Sequence, residues 1–125
     1  MSNYKKGNNV VIGKNVIIGT GCMIGNNVTI HDNSKIGEDV RVDDNTVIGK
    51  KPMKSINSAT TSSTANDLET KVGDGSLIGT NVILYAGSRV GNNCLIADSA
   101  SVREDVEIDD NTIVGRNTTI ENKVK

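Results

Sequence analysis

From residue 10 to residue 30 the chain reads VVIGKNVIIGTGCMIGNNVTI. An isoleucine returns at every sixth residue of this stretch, at positions 12, 18, 24 and 30. Helical side chains repeat every 3.6 residues and strand side chains every two, so neither element alone produces this period. The period of six indicates a short strand, a corner and another short strand, which is the pattern of a hexapeptide-repeat solenoid.

The same period runs through most of the chain. An aliphatic residue stands at every multiple of six from 12 to 48 and from 72 to 120, and an uncharged small or β-branched residue stands two positions before it. Asn or Asp recurs three residues after the aliphatic position, where its tolerance of left-handed backbone favours a corner. The aliphatic positions are Ile12, Ile18, Ile24, Ile30, Ile36, Val42, Ile48, Val72, Ile78, Leu84, Val90, Ile96, Val102, Ile108, Val114 and Ile120.

Three such hexads would close one triangular coil, and the coils would stack at the strand spacing of roughly 4.8 Å. The sequence therefore predicts an all-β parallel helix of about five coils in a single domain, over residues 10–48 and 70–124. Between them the pattern fails, and residues 49–69 are rich in Ser, Thr and Ala, which indicates an extruded loop. The separation between residues 48 and 72 equals one hexad plus one whole coil. We therefore expect the helix to resume on the face that follows the face of residue 48.

The motif [LIV]-G-x-N-x-x, seen in Ile12-Gly13-Lys14-Asn15-Val16-Ile17, resembles the left-handed parallel β-helix of the hexapeptide acyltransferases. The resemblance implies a homotrimer that transfers an acyl group from acetyl-CoA, or another acyl-CoA, to a hydroxyl or amine of a sugar or nucleotide-linked sugar. Members of the family continue through more coils than this chain. It therefore resembles the amino-terminal part of a sugar or amino-sugar acetyltransferase, either truncated or a short variant.

The resemblance also implies that one histidine acts as the general base, and the chain contains a single histidine, His31. A base whose pKa lies near the working pH suits the removal of a proton from the attacking hydroxyl or amine. In several related acyltransferases the catalytic histidine stands two residues after the inward aliphatic residue, whereas His31 stands one after Ile30. The alternative is an outward-facing histidine in solvent.

Two further residues share the predicted column of His31 and are candidates for substrate binding. Arg103 suits a phosphate or carboxylate of the substrate, and an exposed ion pair is the alternative. Tyr85 suits stacking on a base, although packing beneath the loop is the favoured interpretation.

Other charged groups have simpler interpretations. Lys50, Lys51 and Lys54 suit phosphate binding, but a run of lysines is more often solvated surface. The acidic triplets 43–45 and 109–111 stand at corners, where Asp and Asn supply turn geometry, so we predict no metal site.

One outward column carries Met23, Arg41, Leu77, Leu95 and Ile113, and its four apolar members predict a contiguous apolar strip. A soluble monomer rarely exposes such a strip, so we interpret it as an oligomer interface, with scattered surface aliphatics as the alternative. The trimer implied by the family agrees with this interpretation.

Composition excludes several classes of function. The net charge is −1, and there is no Trp or Phe, so neither nucleic acid nor a membrane surface is an expected partner. No apolar stretch has the length of a membrane span or a signal core, which predicts a cytoplasmic protein. Cys22 and Cys94 fall in the inward column, which predicts two buried free thiols.

A non-catalytic β-helix, serving as a scaffold or assembly module, remains the alternative function.

Overall fold

The computed structural model describes residues 3–53 and 68–122, and these residues form seventeen short β-strands in three parallel sheets. Sheet A contains β1 Lys5–Lys6, β4 Met23–Ile24, β7 Arg41–Val42, β10 Leu77–Ile78, β13 Leu95–Ile96 and β16 Ile113–Val114. Sheet B contains β2 Val11–Ile12, β5 Thr29–Ile30, β8 Val47–Lys50, β11 Ile83–Tyr85, β14 Ser101–Val102 and β17 Thr119–Ile120. Sheet C contains β3 Ile17–Ile18, β6 Ser34–Ile36, β9 Thr70–Val72, β12 Arg89–Val90 and β15 Glu107–Ile108.

Successive strands pass from one sheet to the next, so three strands make one turn of the solenoid. The predicted all-β parallel β-helix is confirmed, with nearly six turns. The additional strand β1 lies before the predicted start of the helix. The repeat does not predict this strand, because Lys6 occupies a position where the repeat has an aliphatic residue. Tyr4 packs against the core at this end instead. Within the described part of the chain, no helix is long and apolar enough to cross a membrane.

The residues at multiples of six line the axis of the solenoid, as predicted. The partners Ile12, Ile30 and Ile48 stack in register in sheet B, and the ladder continues through Leu84. The inward aliphatic side chains of the central coils are buried, whereas Ile12 at one end and Ile120 at the other are partly exposed. The core is therefore a continuous aliphatic column, which only neighbouring coils can cover.

The corners depend on left-handed backbone. Each predicted corner residue has a positive φ, and Asn9 and Ser99 adopt the same conformation. The predicted corner residues are Asn15, Asn27, Asn33, Asp39, Asn45, Asn81, Asn93, Asp105, Asn111 and Asn117.

A second corner device couples neighbouring coils. After Gly79 the amide of Thr80 donates to Oδ1 of Asp98, 2.9 Å away in the next coil, and this carboxylate occupies the space that a Cβ on Gly79 would need. Most corner glycines are matched in this way by an Asp or Asn of the next coil. The equivalent amide-to-side-chain bonds are Asn8 to Asn26, Lys14 to Asp32, Asn26 to Asp44, Glu38 to Asp74, Asp74 to Asn92 and Asn92 to Asp110.

Substituting alanine for Gly79 is expected to destabilise the solenoid by about 1–3 kcal/mol. The added Cβ would lie 2.9 Å from the amide nitrogen of Asp98 and would displace its carboxylate. Gly115→Ala is the matched control in the same corner column, since its nearest neighbour, Oγ1 of Thr118, is 3.7 Å away. Urea unfolding followed by circular dichroism measures both variants. Equal midpoints would contradict the capping role of Asp98.

The inserted segment interrupts the chain without disturbing the stacking. Strand β8 ends in sheet B, and β9 resumes in sheet C, where Thr70 pairs with Ser34 and Val72 with Ile36. Residues 54–67, which include Lys54 and the centre of the predicted loop, lie outside the described residues, as do residues 123–125.

Candidate functional site

The corner that follows sheet B differs from the other two corners. The residue after the inward aliphatic position is mostly glycine after sheets A and C. After sheet B, the same position carries His31, Tyr85, Arg103 and Glu121, with glycine at position 13. Large and ionisable side chains are therefore concentrated along a single edge of the solenoid.

Sequence periodicity places Gly49 in this column, and the structure corrects that placement. Ile48 pairs with Leu84, but the next paired residues are Lys50 and Tyr85, so Gly49 is an extra residue in a β-bulge. Its φ of 86° is in the left-handed region, which glycine adopts at little cost. The bulge places Lys50 opposite Tyr85 in this column, while Gly49 lies beside His31.

His31 combines a fixed backbone with an exposed side chain. Its amide donates to the carbonyl of Ile48 at 2.8 Å, and its carbonyl accepts a bond from the buried Ser34 hydroxyl at 2.8 Å. The imidazole borders a groove of about 610 Å³. The described residues that line this groove are His31, Asp32, Gly49, Lys50, Lys51, Leu68 and Ala86.

Tyr85 and Arg103, the other two predicted site residues, contact each other. The ring of Tyr85 is only 7% exposed, and the guanidinium carbon of Arg103 lies 4.7 Å from its centroid. Nε of Arg103 also lies 3.0 Å from Oε1 of Glu104, and a second ion pair of 3.7 Å joins Arg103 to Glu121. The bond to Glu104 raises the pKa of Arg103. This cluster is separated from His31 by Lys50, and neither Tyr85 nor Arg103 is among the described groove residues.

Sequence reasoning named Lys50 among the lysines that suit phosphate binding but did not place it in this groove, and it did not name Leu68 at all. The sequence gives only a weak indication that Lys50 is displaced, which is the glycine before it, since an isolated glycine in a strand often marks a bulge. Leu68 has no signal, because it lies where the repeat is absent. Its Cδ1 would be 2.8 Å from a Cβ on Gly87, so the absence of that side chain lets Leu68 pack there.

The acidic corners make structural contacts. Asp43 pairs with Arg41 at 2.8 Å, while Oδ1 of Asp44 and of Asp110 each accept a backbone amide. Within residues 3–53 and 68–122 no three side chains are grouped as metal ligands.

The two cysteines are buried and free. Burial raises the pKa of the Cys22 thiol, and its Sγ lies 3.0 Å from the carbonyl of Gly37.

The predicted apolar strip is shorter than expected. Arg41 pairs with both Met23 and Leu77 in sheet A, so it separates Met23 from the rest. Leu77, Leu95 and Ile113 are direct neighbours, with Ile113 74% exposed. We call these three residues the sheet A strip.

The sequence matches the family described as bacterial transferase hexapeptide (six repeats) over residues 2–32, 21–51, 69–103 and 87–122. No curated protein sequence matches the chain.

Solved structures with the same fold include two acyltransferases. The UDP-N-acetylglucosamine acyltransferase of Francisella novicida is 22% identical with a TM-score of 0.68, and the alignment covers 95% of this chain and 52% of that one. The UDP-N-acetylglucosamine O-acyltransferase of Moraxella catarrhalis is 18% identical with a TM-score of 0.62, covering 95% and 56%. The chain thus spans about half the length of these structures.

Proposed function

This chain belongs to the bacterial transferase hexapeptide family, and on that basis we propose that it transfers an acyl group from acetyl-CoA, or another acyl-CoA, to a hydroxyl or amine of a sugar or nucleotide-linked sugar. The two solved structures named above share its fold and carry acyltransferase names. Fold alone does not fix a reaction. The observation that carries the proposal is His31, exposed on a fixed backbone at the edge of a groove.

In this reaction His31 is the general base. Its imidazole takes the proton of the attacking hydroxyl or amine, the freed lone pair forms a bond to the thioester carbonyl carbon, and the carbon–sulfur bond breaks. The proton then passes to the coenzyme A thiolate. The exposed position of His31 allows a substrate to reach the imidazole, while the bonds from its backbone to Ile48 and Ser34 hold its Cα in place.

Arg103 is assigned to binding of the distal part of the substrate, and Tyr85, which is only 7% exposed, packs beneath its guanidinium. They follow His31 along the same edge, with Arg103 three strands away, or roughly 14 Å at the usual strand spacing. Glu104 and Glu121 orient the guanidinium, whose partial exposure leaves its remaining donors accessible.

Acyl transfer is tested by incubating the purified chain with acetyl-CoA and a panel of UDP-sugars and measuring the free thiol of coenzyme A that is released. Release of thiol that depends on one acceptor is expected. A chain that neither binds acetyl-CoA nor releases thiol would instead favour the scaffold or assembly module.

We also propose that the protein is a homotrimer assembled through the sheet A strip. Three apolar side chains adjacent to one another on the face of one sheet are a feature that interfaces cover. The double change Leu77→Glu and Leu95→Glu is expected to dissociate the trimer, because it would bury carboxylates without partners.

Light scattering measures the effect of that double change on mass. Ile17→Glu is the matched control, since Ile17 is a 57% exposed isoleucine of sheet C, away from the strip. The control should keep the trimeric mass. A monomeric mass for the unsubstituted protein would exclude this assembly.

A further inference from the structure

The bulge at Gly49 brings the cationic residue Lys50 to the groove. Periodicity alone would assign Lys50 to a different position of the repeat. Strand β8 contacts β5 on one side and β11 on the other, so its last residue, Lys50, stands one strand away from His31. Its backbone is held by pairing with Tyr85 and by the amide of Ala86, which donates to the carbonyl of Lys50 at 2.8 Å. Bulges often re-aim a side chain beside a functional site.

The described residues of the groove carry an excess of positive charge. Lys50 and Lys51 both line it, and the ion pairs found among the described residues involve other cations. Asp32 is the described carboxylate of the groove, and its Oδ1 already accepts the amide of Lys14 at 2.7 Å. Arg103, in the same column, differs from Lys50 because two glutamates neutralise it.

We propose that Lys50 is a specificity-determining residue that anchors a phosphate group of the substrate beside His31. The inference rests on the proposed function and names the chemistry that this site recognises. An ammonium group on a flexible stem binds phosphate as a point charge, with three donors. The half-buried position of Lys50 reduces solvent screening of this charge. Both an acyl-CoA and a nucleotide-linked sugar carry phosphates, so either substrate could supply the anchored group.

Isothermal titration calorimetry of the whole chain at low ionic strength tests this assignment, with inorganic pyrophosphate, coenzyme A and UDP as separate probes. Lys50→Ala is expected to weaken pyrophosphate binding by about tenfold or more, the usual effect of losing a hydrogen bond to a charged group. Lys50→Arg should retain more affinity than Lys50→Ala. Lys6→Ala, at an exposed lysine of β1, removes the same charge outside the groove and should bind like the unsubstituted protein.

The two nucleotide probes identify the source of the phosphate. A loss confined to coenzyme A assigns the anchored group to the acyl donor, and a loss confined to UDP assigns it to the acceptor. Equal binding of all three probes by Lys50→Ala and Lys6→Ala, or no pyrophosphate binding by the unsubstituted protein, would overturn the inference. His31→Ala separates this result from the proposed function: transfer that survives in His31→Ala rejects the general base, whatever Lys50 binds.

Discussion

Replacing Ile96 with aspartate is expected to lower the free energy of unfolding by about 4 kcal/mol or more. Ile96 is 0% exposed and stacks in sheet A between Ile78 and Val114. An aspartate there removes buried hydrocarbon and places a carboxyl group where the surrounding core is aliphatic. Because each coil is stabilised mainly by its neighbours, loss of this layer weakens stacking on both sides. Urea unfolding followed by circular dichroism measures the effect.

Ile17→Asp is the matched control for this change. It introduces the same side chain at an isoleucine that is 57% exposed on sheet C, so its effect should stay within about 0.5 kcal/mol. If both variants unfold at the same urea concentration, the assignment of multiples of six to the core is wrong.

Replacing His31 with alanine is expected to lower acetyl transfer by about 10²–10⁴-fold, the usual contribution of a general base. The imidazole is exposed, so its loss removes little buried contact and should not unfold the protein. The variant should keep its affinity for coenzyme A and its oligomeric mass, since neither depends on the proton transfer. Steady-state rates, calorimetry and light scattering measure these three properties.

Arg89→Ala serves as the control for His31→Ala, because Arg89 is exposed on sheet C and lies outside the groove of His31. Its rate should match that of the unsubstituted protein. Unchanged turnover in His31→Ala would return His31 to a solvent-exposed surface role, and another group would have to remove the proton.

The candidate site was only partly predictable. The position of His31 on an outward corner follows from the repeat, because a residue one position after Ile30 leaves the strand toward solvent. The contact between Tyr85 and Arg103 does not follow from it. Both stand in one column, but only the structure shows that the guanidinium covers the ring and is held by two glutamates.

Gly49 and Lys50 show where periodicity stops being informative. The repeat assigns one residue to each ladder position. It cannot indicate that a strand contains an extra, unpaired residue. The left-handed φ of Gly49 lets the strand carry an extra residue before it leaves the coil. The lysine that we propose as a phosphate anchor therefore reaches its column through a local irregularity that changes no other layer.

The sequence by itself determined the period, the inward column and the left-handed corners, because each of these is a property of one hexad and its local backbone preferences. The tertiary structure decided what depends on neighbouring coils. Asp98 caps the amide of Thr80 eighteen residues away, and Asp74 reaches Glu38 across thirty-six residues that include the insertion. Such partners meet only when the coils stack, so the relation among side chains of different coils is set by packing rather than by the local pattern.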